Sequence, residues 1–138
     1  MRVVLVDTGP LVALFDARDK SHAWAVDTLA HLREPVVTCD SAISEATYLL
    51  GPGTDGCLAL IEMVERGLVK SAFELQPQIR RIRALMHRYA SVPMSFADAC
   101  LVRLSELHGD VAVWTLDSDF RIYRRHGRQR IPTIMPSE

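Results

Sequence analysis

The chain has 138 residues, of which 49% are hydrophobic and 24% are charged, and its formal net charge is −1. This length fits one globular domain with a core of its own, and the near-neutral charge does not by itself indicate a nucleic-acid binder. No apolar run approaches the roughly 18 residues that cross a bilayer, and the apolar segment at the N-terminus is too short for a signal peptide. The cysteines at 39, 57 and 100 are too widely spaced for a zinc or disulfide pattern. We therefore expect a single domain over residues 1–138, in the reducing cytoplasm and without a membrane segment.

The first half of the chain is predicted to alternate strands and helices. Residues 2–6 are β-branched and continuous, as in a strand that is buried on both faces. Gly9-Pro10 then favours the start of a helix, because proline is tolerated in a first helical turn. The elements predicted here are a strand over 2–6, helices over 10–16 and 21–33, a strand over 36–38, and helices over 41–50 and 56–66.

The second half continues the same alternation. Its predicted elements are a strand over 68–73, a basic amphipathic helix over 77–90, a helix over 95–108, a strand over 111–115, a short helix over 118–126 and a strand over 131–134. Strands that alternate with helices indicate a parallel sheet with helices on both faces. The sequence therefore predicts a three-layer α/β/α sandwich with a central parallel sheet of about five strands.

Four acidic residues stand at positions that this fold would bring together. Asp7 and Asp117 each follow an apolar, strand-like run, and ligands in open α/β sheets bind at the carboxyl ends of the strands. Glu45 and Asp98 lie about one turn inside two predicted helices. Grouped carboxylates repel one another unless a cation neutralises them, and Mg²⁺ prefers oxygen ligands. The pattern predicts a metal-dependent enzyme that acts on phosphate.

Two of these acids have structural alternatives in helix capping. Asp7 would cap the helix that starts near Pro10, although Thr8 is placed to take that role instead. Asp98 follows Ser95 at the spacing of a capping box, in which the serine and the acid satisfy each other's backbone N–H groups. Capping and metal binding are therefore both open for these residues.

The other two acids also carry alternatives. Glu45 would be a solvated helix residue if it did not reach a site. Of the two acids that follow the strand over 111–115, Asp119 is nearer the next helix and is the candidate cap. That assignment leaves Asp117, at the strand end, as the candidate ligand.

Arginine carries most of the positive charge. Of the 16 basic residues only Lys20 and Lys70 are lysines, and arginines crowd the segments 80–88 and 121–130. Arginine grips phosphate with two hydrogen bonds where lysine acts as a point charge. These segments are compatible with phosphate binding, and the alternative is that they are solvated helix faces.

Four short motifs in this order resemble the PIN-domain ribonucleases, and within them the small VapC-type toxins. The resemblance spans essentially the whole chain. The motifs are Val4-Leu5-Val6-Asp7-Thr8-Gly9-Pro10, Ser44-Glu45-Ala46, Phe96-Ala97-Asp98-Ala99 and Thr115-Leu116-Asp117-Ser118-Asp119-Phe120.

The resemblance implies a PIN-like fold and an endoribonuclease that uses Mg²⁺ or Mn²⁺. It also implies an RNA substrate, a homodimer and a cognate antitoxin partner. It makes Asp7, Asp98 and Asp117 the metal ligands and adds Glu45 to the catalytic acids. Auxiliary roles fall to Asp119, Thr8 and Thr115. The candidate RNA-binding residues Arg121, Arg124 and Arg125 come from the clustering of arginine and are not part of the family motifs.

Other α/β classes fit less well. A phosphorylation-switched receiver domain needs a lysine near the end of a late strand, but none follows Lys70. A haloacid-dehalogenase-like phosphatase needs Asp-x-Asp, and Gly9 stands where the second aspartate would be. A non-catalytic α/β module that binds phosphate or nucleic acid, without an antitoxin, stays open as the alternative, because fold does not fix function.

Overall fold

A computed structural model describes residues 1–137 as a parallel sheet with helices on both faces. In chain order its elements are β1 (Val3–Val6), α1 (Thr8–Phe15), α2 (His22–His31), β2 (Val36–Thr38), α3 (Asp40–Leu50), α4 (Asp55–Glu65), β3 (Val69–Ser71), α5 (Leu75–Arg88), α6 (Phe96–Leu107), β4 (Val111–Trp114), a 3-10 helix (Ser118–Arg121), β5 (Arg124–Arg125), β6 (Gln129–Arg130) and β7 (Thr133–Ile134).

The main sheet has five parallel strands in the order β3-β2-β1-β4-β7. The predicted three-layer α/β/α architecture is therefore confirmed. β1 lies at the centre, with Val4 paired to Val36 on one side and to Ala112 on the other. Both faces of this strand are buried, which explains its continuous apolar sequence.

Two apolar cores lie on opposite faces of the sheet. Val4 and Val6 of β1 pack into one core, while Leu5 packs into the other, as the two-residue period of a strand requires. Residues of α1, α2 and α4 fill the first core, and residues of α5 and α6 fill the second. This packing fixes the sheet between the helical layers, so that the residues after β1 and β4 are held at one edge.

The predicted helix over 118–126 is wrong in its second half. The 3-10 helix ends at Arg121, and residues 124–130 form the antiparallel hairpin β5–β6. His126 and Gly127 turn the hairpin with φ values of 52° and 79°, which belong to the left-handed region. The hairpin strands carry arginine and glutamine rather than alternating apolar residues, so no strand pattern is visible in the sequence.

The remaining predicted elements all exist, with ends within two residues of those predicted. Within residues 1–137, no helix combines the length and apolar character needed to span a membrane.

Candidate metal centre

The carboxyl ends of β1 and β4 bring two of the predicted acids together. Val6 and Trp114 are paired in the sheet, so the residues that follow them are neighbours. Asp98 approaches from the first turn of α6. One carboxylate oxygen from each of Asp7, Asp98 and Asp117 lies within 4.8 Å of the others. Asp7 and Asp98 are buried and Asp117 is half-buried.

These acids line a polar cavity of about 620 Å³. Glu45 also lines it, but its side chain is exposed and lies at the rim, where it accepts a hydrogen bond of 2.8 Å from the Thr8 hydroxyl. Asp119 completes a set of five carboxylates around one space. The residues lining the cavity are Asp7, Thr8, Gly9, Glu45, Pro93, Ser95, Asp98, Leu116, Asp117, Ser118 and Asp119.

Asp7 is fixed by donors on both of its oxygens. Oδ1 accepts the Thr8 backbone N–H at 2.8 Å, and Oδ2 accepts the buried Thr115 hydroxyl at 2.7 Å. The same Thr115 hydroxyl oxygen accepts the Asp117 backbone N–H at 2.9 Å. Thr115 therefore links two of the three clustered acids and restricts how far they can move apart.

The structure decides one open capping alternative and corrects one capping assignment. Asp7 itself caps α1, because it directly precedes the helix with extended backbone, while the Thr8 hydroxyl is engaged with Glu45. Asp117, rather than Asp119, caps the 3-10 helix by accepting the Asp119 backbone N–H at 2.8 Å. A carboxylate has about four lone-pair sites, so one capping bond leaves oxygen capacity for an ion.

Asp98 is a member of the predicted capping box and of the acidic cluster. Its backbone N–H donates to Ser95 Oγ at 3.0 Å, and its Oδ2 accepts the Ser95 backbone N–H at 3.3 Å. The Tyr123 hydroxyl donates to the same oxygen at 2.9 Å. Sequence reasoning missed Tyr123, since a lone tyrosine carries no motif; the burial of its side chain, directly before the hairpin, is visible only in the fold.

Within the part of the chain that the structure describes, the cluster has no counter-charge. Among residues 1–137 none of its three aspartates forms an ion pair, and no basic side chain lines the cavity. Burial raises the pKa of Asp7 to about 6, and the negative charges of Asp98 and Asp117 add to that shift. Burial likewise raises the pKa of Asp98. Closely spaced hard oxygen donors with unbalanced charge fit a divalent cation such as Mg²⁺ or Mn²⁺.

The predicted RNA-binding arginines have different environments. Arg125 is buried and donates to the backbone carbonyls of Ser105 and His108, at the end of α6. That arginine is therefore not available to a nucleic acid, and its predicted role is corrected to a structural one. Arg124 is half-buried and donates to nearby carbonyls, including that of Arg121. The roles of Arg121 and Arg124 toward RNA stay predictions.

The fold and the acidic cluster together define a class of protein. The family model of the PIN domain matches residues 4–125, so the chain belongs to the PIN-domain family. This confirms the family membership predicted from the four motifs.

Particular relatives are found among mycobacterial proteins. Ribonuclease VapC26 of Mycobacterium tuberculosis (strain ATCC 25618 / H37Rv) is 26% identical over 125 residues, which cover 89% of this chain and 88% of that protein. The crystal structure of Mycobacterium tuberculosis VapC20, a sarcin-ricin loop cleaving toxin, matches with a TM-score of 0.77 at 22% identity, over 84% of this chain and 91% of that one. At this identity the second likeness shows the fold alone.

Proposed function

We propose that this PIN-domain protein is a divalent-metal-dependent endoribonuclease and the toxin component of a VapBC-type pair. The observation that carries the proposal is the group of three carboxylates within 4.8 Å of one another, with no basic side chain among residues 1–137 lining their cavity. Family membership and the ribonuclease relative point to RNA phosphodiesters as the substrate. A cluster of this kind destabilises the fold unless a ligand occupies it, so its presence favours a site over a structural motif.

Asp7, Asp98 and Asp117 would hold the ion, which we propose to be Mg²⁺ or Mn²⁺. A bound divalent ion would supply Lewis acidity, both for activating water and for neutralising charge that develops on phosphate oxygens. Thr115 orients Asp7 through its 2.7 Å hydrogen bond, and Thr8 orients Glu45 at the rim. Glu45 adds a fourth carboxylate facing the same cavity, to which a proton from the attacking water can pass.

Cleavage by water predicts the chemistry of the product ends. Attack by water with loss of the 3′-oxygen, the polarity that the family resemblance implies, leaves a 5′-phosphate and a 3′-hydroxyl. No histidine lines the cavity within residues 1–137, so the pair of bases that a 2′-hydroxyl attack would need is not provided there. A 2′,3′-cyclic phosphate is therefore not expected.

Digestion of structured and single-stranded RNA with Mg²⁺, with Mn²⁺ and with chelator tests the reaction. We expect cleavage with either metal, none with chelator, and 5′-phosphate ends in end-group analysis. Asp27→Asn is the matched control, because that aspartate is 74% exposed on α2 and outside the cavity. Cleavage that survives chelation, or cyclic-phosphate ends, would contradict the proposed chemistry.

RNA contacts would come from exposed arginines rather than from those that bond to other groups of the protein. Arg81 and Arg88 are engaged, with Glu106 and with the Gly127 carbonyl. Arg80 and Arg83 are exposed instead and line one surface depression together with His87. Their i, i+3 and i+7 spacing places all three on one face of α5.

The assembly is also a proposal. We infer one domain that forms a homodimer and pairs with an antitoxin. Tyr48 and Leu49 on α3 are 76% and 63% exposed, and adjacent exposed apolar side chains favour a protein contact. Sedimentation of the purified chain tests the dimer, and co-expression with the adjacent reading frame tests the antitoxin. The alternative, a non-catalytic module that binds phosphate or nucleic acid and has no antitoxin partner, would bind RNA but cut no substrate.

A further inference from the structure

We propose that Tyr123 is a positioning residue that orients the Asp98 carboxylate for the metal ion. This inference rests on the proposed function, because it concerns how the same site is built. It adds to the acidic cluster a residue with no charge of its own at neutral pH.

The hydrogen bonds to Asp98 are directional. The Tyr123 hydroxyl donates to Oδ2 at 2.9 Å, and the Ser95 backbone N–H donates to the same oxygen at 3.3 Å. Two donors on Oδ2 fix the rotation of the carboxyl group and leave Oδ1 as the oxygen for an ion. Outer hydrogen bonds of this type commonly orient metal ligands and tune their affinity.

The Tyr123 hydroxyl is itself held in place. The ring is fully buried and packs edge-on against Tyr89 and Phe120, with centroid distances of 5.1 and 5.2 Å. The next residue, Arg124, donates its backbone N–H to the Tyr89 hydroxyl at 3.0 Å. Arg125 then ties the chain to the end of α6. A donor fixed in this way loses little conformational entropy when it aligns a ligand.

Tyr89 provides a matched control within the same aromatic cluster. It is also a buried tyrosine, 7% exposed, and its ring contacts that of Tyr123. Its hydroxyl accepts a backbone N–H and, within the described residues, touches no carboxylate. Removing either hydroxyl therefore breaks one hydrogen bond in the same region, but only one of the two bonds reaches Asp98.

The experiment compares Mn²⁺ binding to the parent, Tyr123→Phe and Tyr89→Phe by calorimetry, with thermal unfolding of each in chelator. We expect Tyr123→Phe to raise the Mn²⁺ dissociation constant about tenfold, the lower end of the effect of losing an outer hydrogen-bond partner. Tyr89→Phe should change it by less than about twofold. RNA cleavage by Tyr123→Phe should recover when Mn²⁺ is raised by the factor that its affinity has lost.

The outcomes separate this inference from the proposed function. Equal Mn²⁺ affinity of Tyr123→Phe and the parent would overturn the positioning role while leaving the metal site intact. An equal loss in both tyrosine variants would overturn it as well, because packing alone would then explain the effect. A parent that binds no Mn²⁺ would overturn the proposed function and the inference together.

Discussion

The two ends of α6 each hold a buried carboxylate, and among the described residues basic side chains pair with only one of them. Near the C-terminal end, the side chain of Glu106 is 1% exposed and receives Arg81 through two hydrogen bonds of 2.9 and 2.7 Å. Arg103 and the His126 backbone N–H also donate to it, at 3.2 and 2.7 Å. Near the N-terminal end, about 12 Å away along the helix, Asp98 faces other acids.

The pKa values of the two sites move in opposite directions. Burial raises the pKa of Asp7, the most buried member of the acidic cluster, to about 6. Burial acts in the same direction on Glu106, but the Arg81 and His126 hydrogen bonds outweigh it and lower its pKa to about 2. Burial alone therefore does not identify a functional carboxylate. The lack of a paired basic side chain among residues 1–137 favours the proposed functional role, because a structural role gives no reason to leave the charge unbalanced.

The largest effect should follow from changing Asp7, a proposed metal ligand at the uncompensated site. Asp7→Asn keeps the shape but loses the negative charge, and its single amide oxygen can accept only one of the two hydrogen bonds that the carboxylate accepts from Thr8 and Thr115. We expect RNA cleavage to fall by more than about 100-fold, the upper end of what loss of an outer partner costs a metal site. Initial rates in Mg²⁺ measure it, with Asp27→Asn as the control. Full activity of a folded Asp7→Asn protein would show that the uncompensated acidic cluster is not the catalytic site.

The compensated site should show its effect in stability instead. Glu106→Gln leaves Arg81 and Arg103 facing a neutral amide and weakens the His126 bond. Breaking a buried pair costs about 3–5 kcal/mol, and we expect about 3 kcal/mol because both arginines are partly exposed to water. Urea unfolding at pH 7 measures the loss. If Glu106→Gln unfolded at the parent's urea concentration, the ion pairs would not be what stabilises that end of α6.

Sequence reasoning identified the strong patterns of this chain and missed its irregular connection. The apolar runs of β1 and β4 show in the sequence because both strands are buried on both faces of the sheet. The small-residue context of Asp98 also shows, because Ala97 and Ala99 are buried beside it in α6. The hairpin β5–β6 does not, since its two-residue strands have no apolar alternation. The sequence also does not show which of the neighbouring arginines is buried. Arg125 turns inward because it donates to backbone carbonyls 16 to 20 residues away, a contact that only the fold creates.

Changing the pH should have opposite effects on the stability that the two sites contribute. The folded pKa of Asp7, about 6, lies above its ordinary value of 3.8, so between these values the folded protein binds more protons than the unfolded chain. Without divalent metal, stability should therefore rise as the pH falls from 7 toward 4, by at most about 3 kcal/mol for a shift of about two units. Glu106 behaves oppositely, and its contribution should be lost as the pH falls below 4.5 toward 2.

Chemical unfolding in chelator, followed from pH 7 to pH 4, measures this profile. Asp7→Asn should be more stable than the parent at pH 7 and should lack most of the gain on acidification, because the variant has no carboxylate to protonate. With saturating Mn²⁺ the trend of the parent should reverse, since protonation of the ligands competes with the ion. A flat metal-free profile in the parent would contradict the raised pKa of Asp7.

The smallest effect is expected from arginines on α5 that do not pair with Glu106. Arg81 is engaged there, while Arg80 and Arg83 are exposed on the outer face. If those two contact phosphate, the double variant Arg80→Ala and Arg83→Ala should bind single-stranded RNA more weakly. The slope of log affinity against log salt should also become shallower by about 1.4, at about 0.7 per contact. Fluorescence anisotropy with a catalytically inactive background measures both quantities. Arg81→Ala should instead lower the free energy of unfolding and keep the salt slope. If the double variant kept the parent's slope, its arginines would be solvated rather than part of the RNA surface.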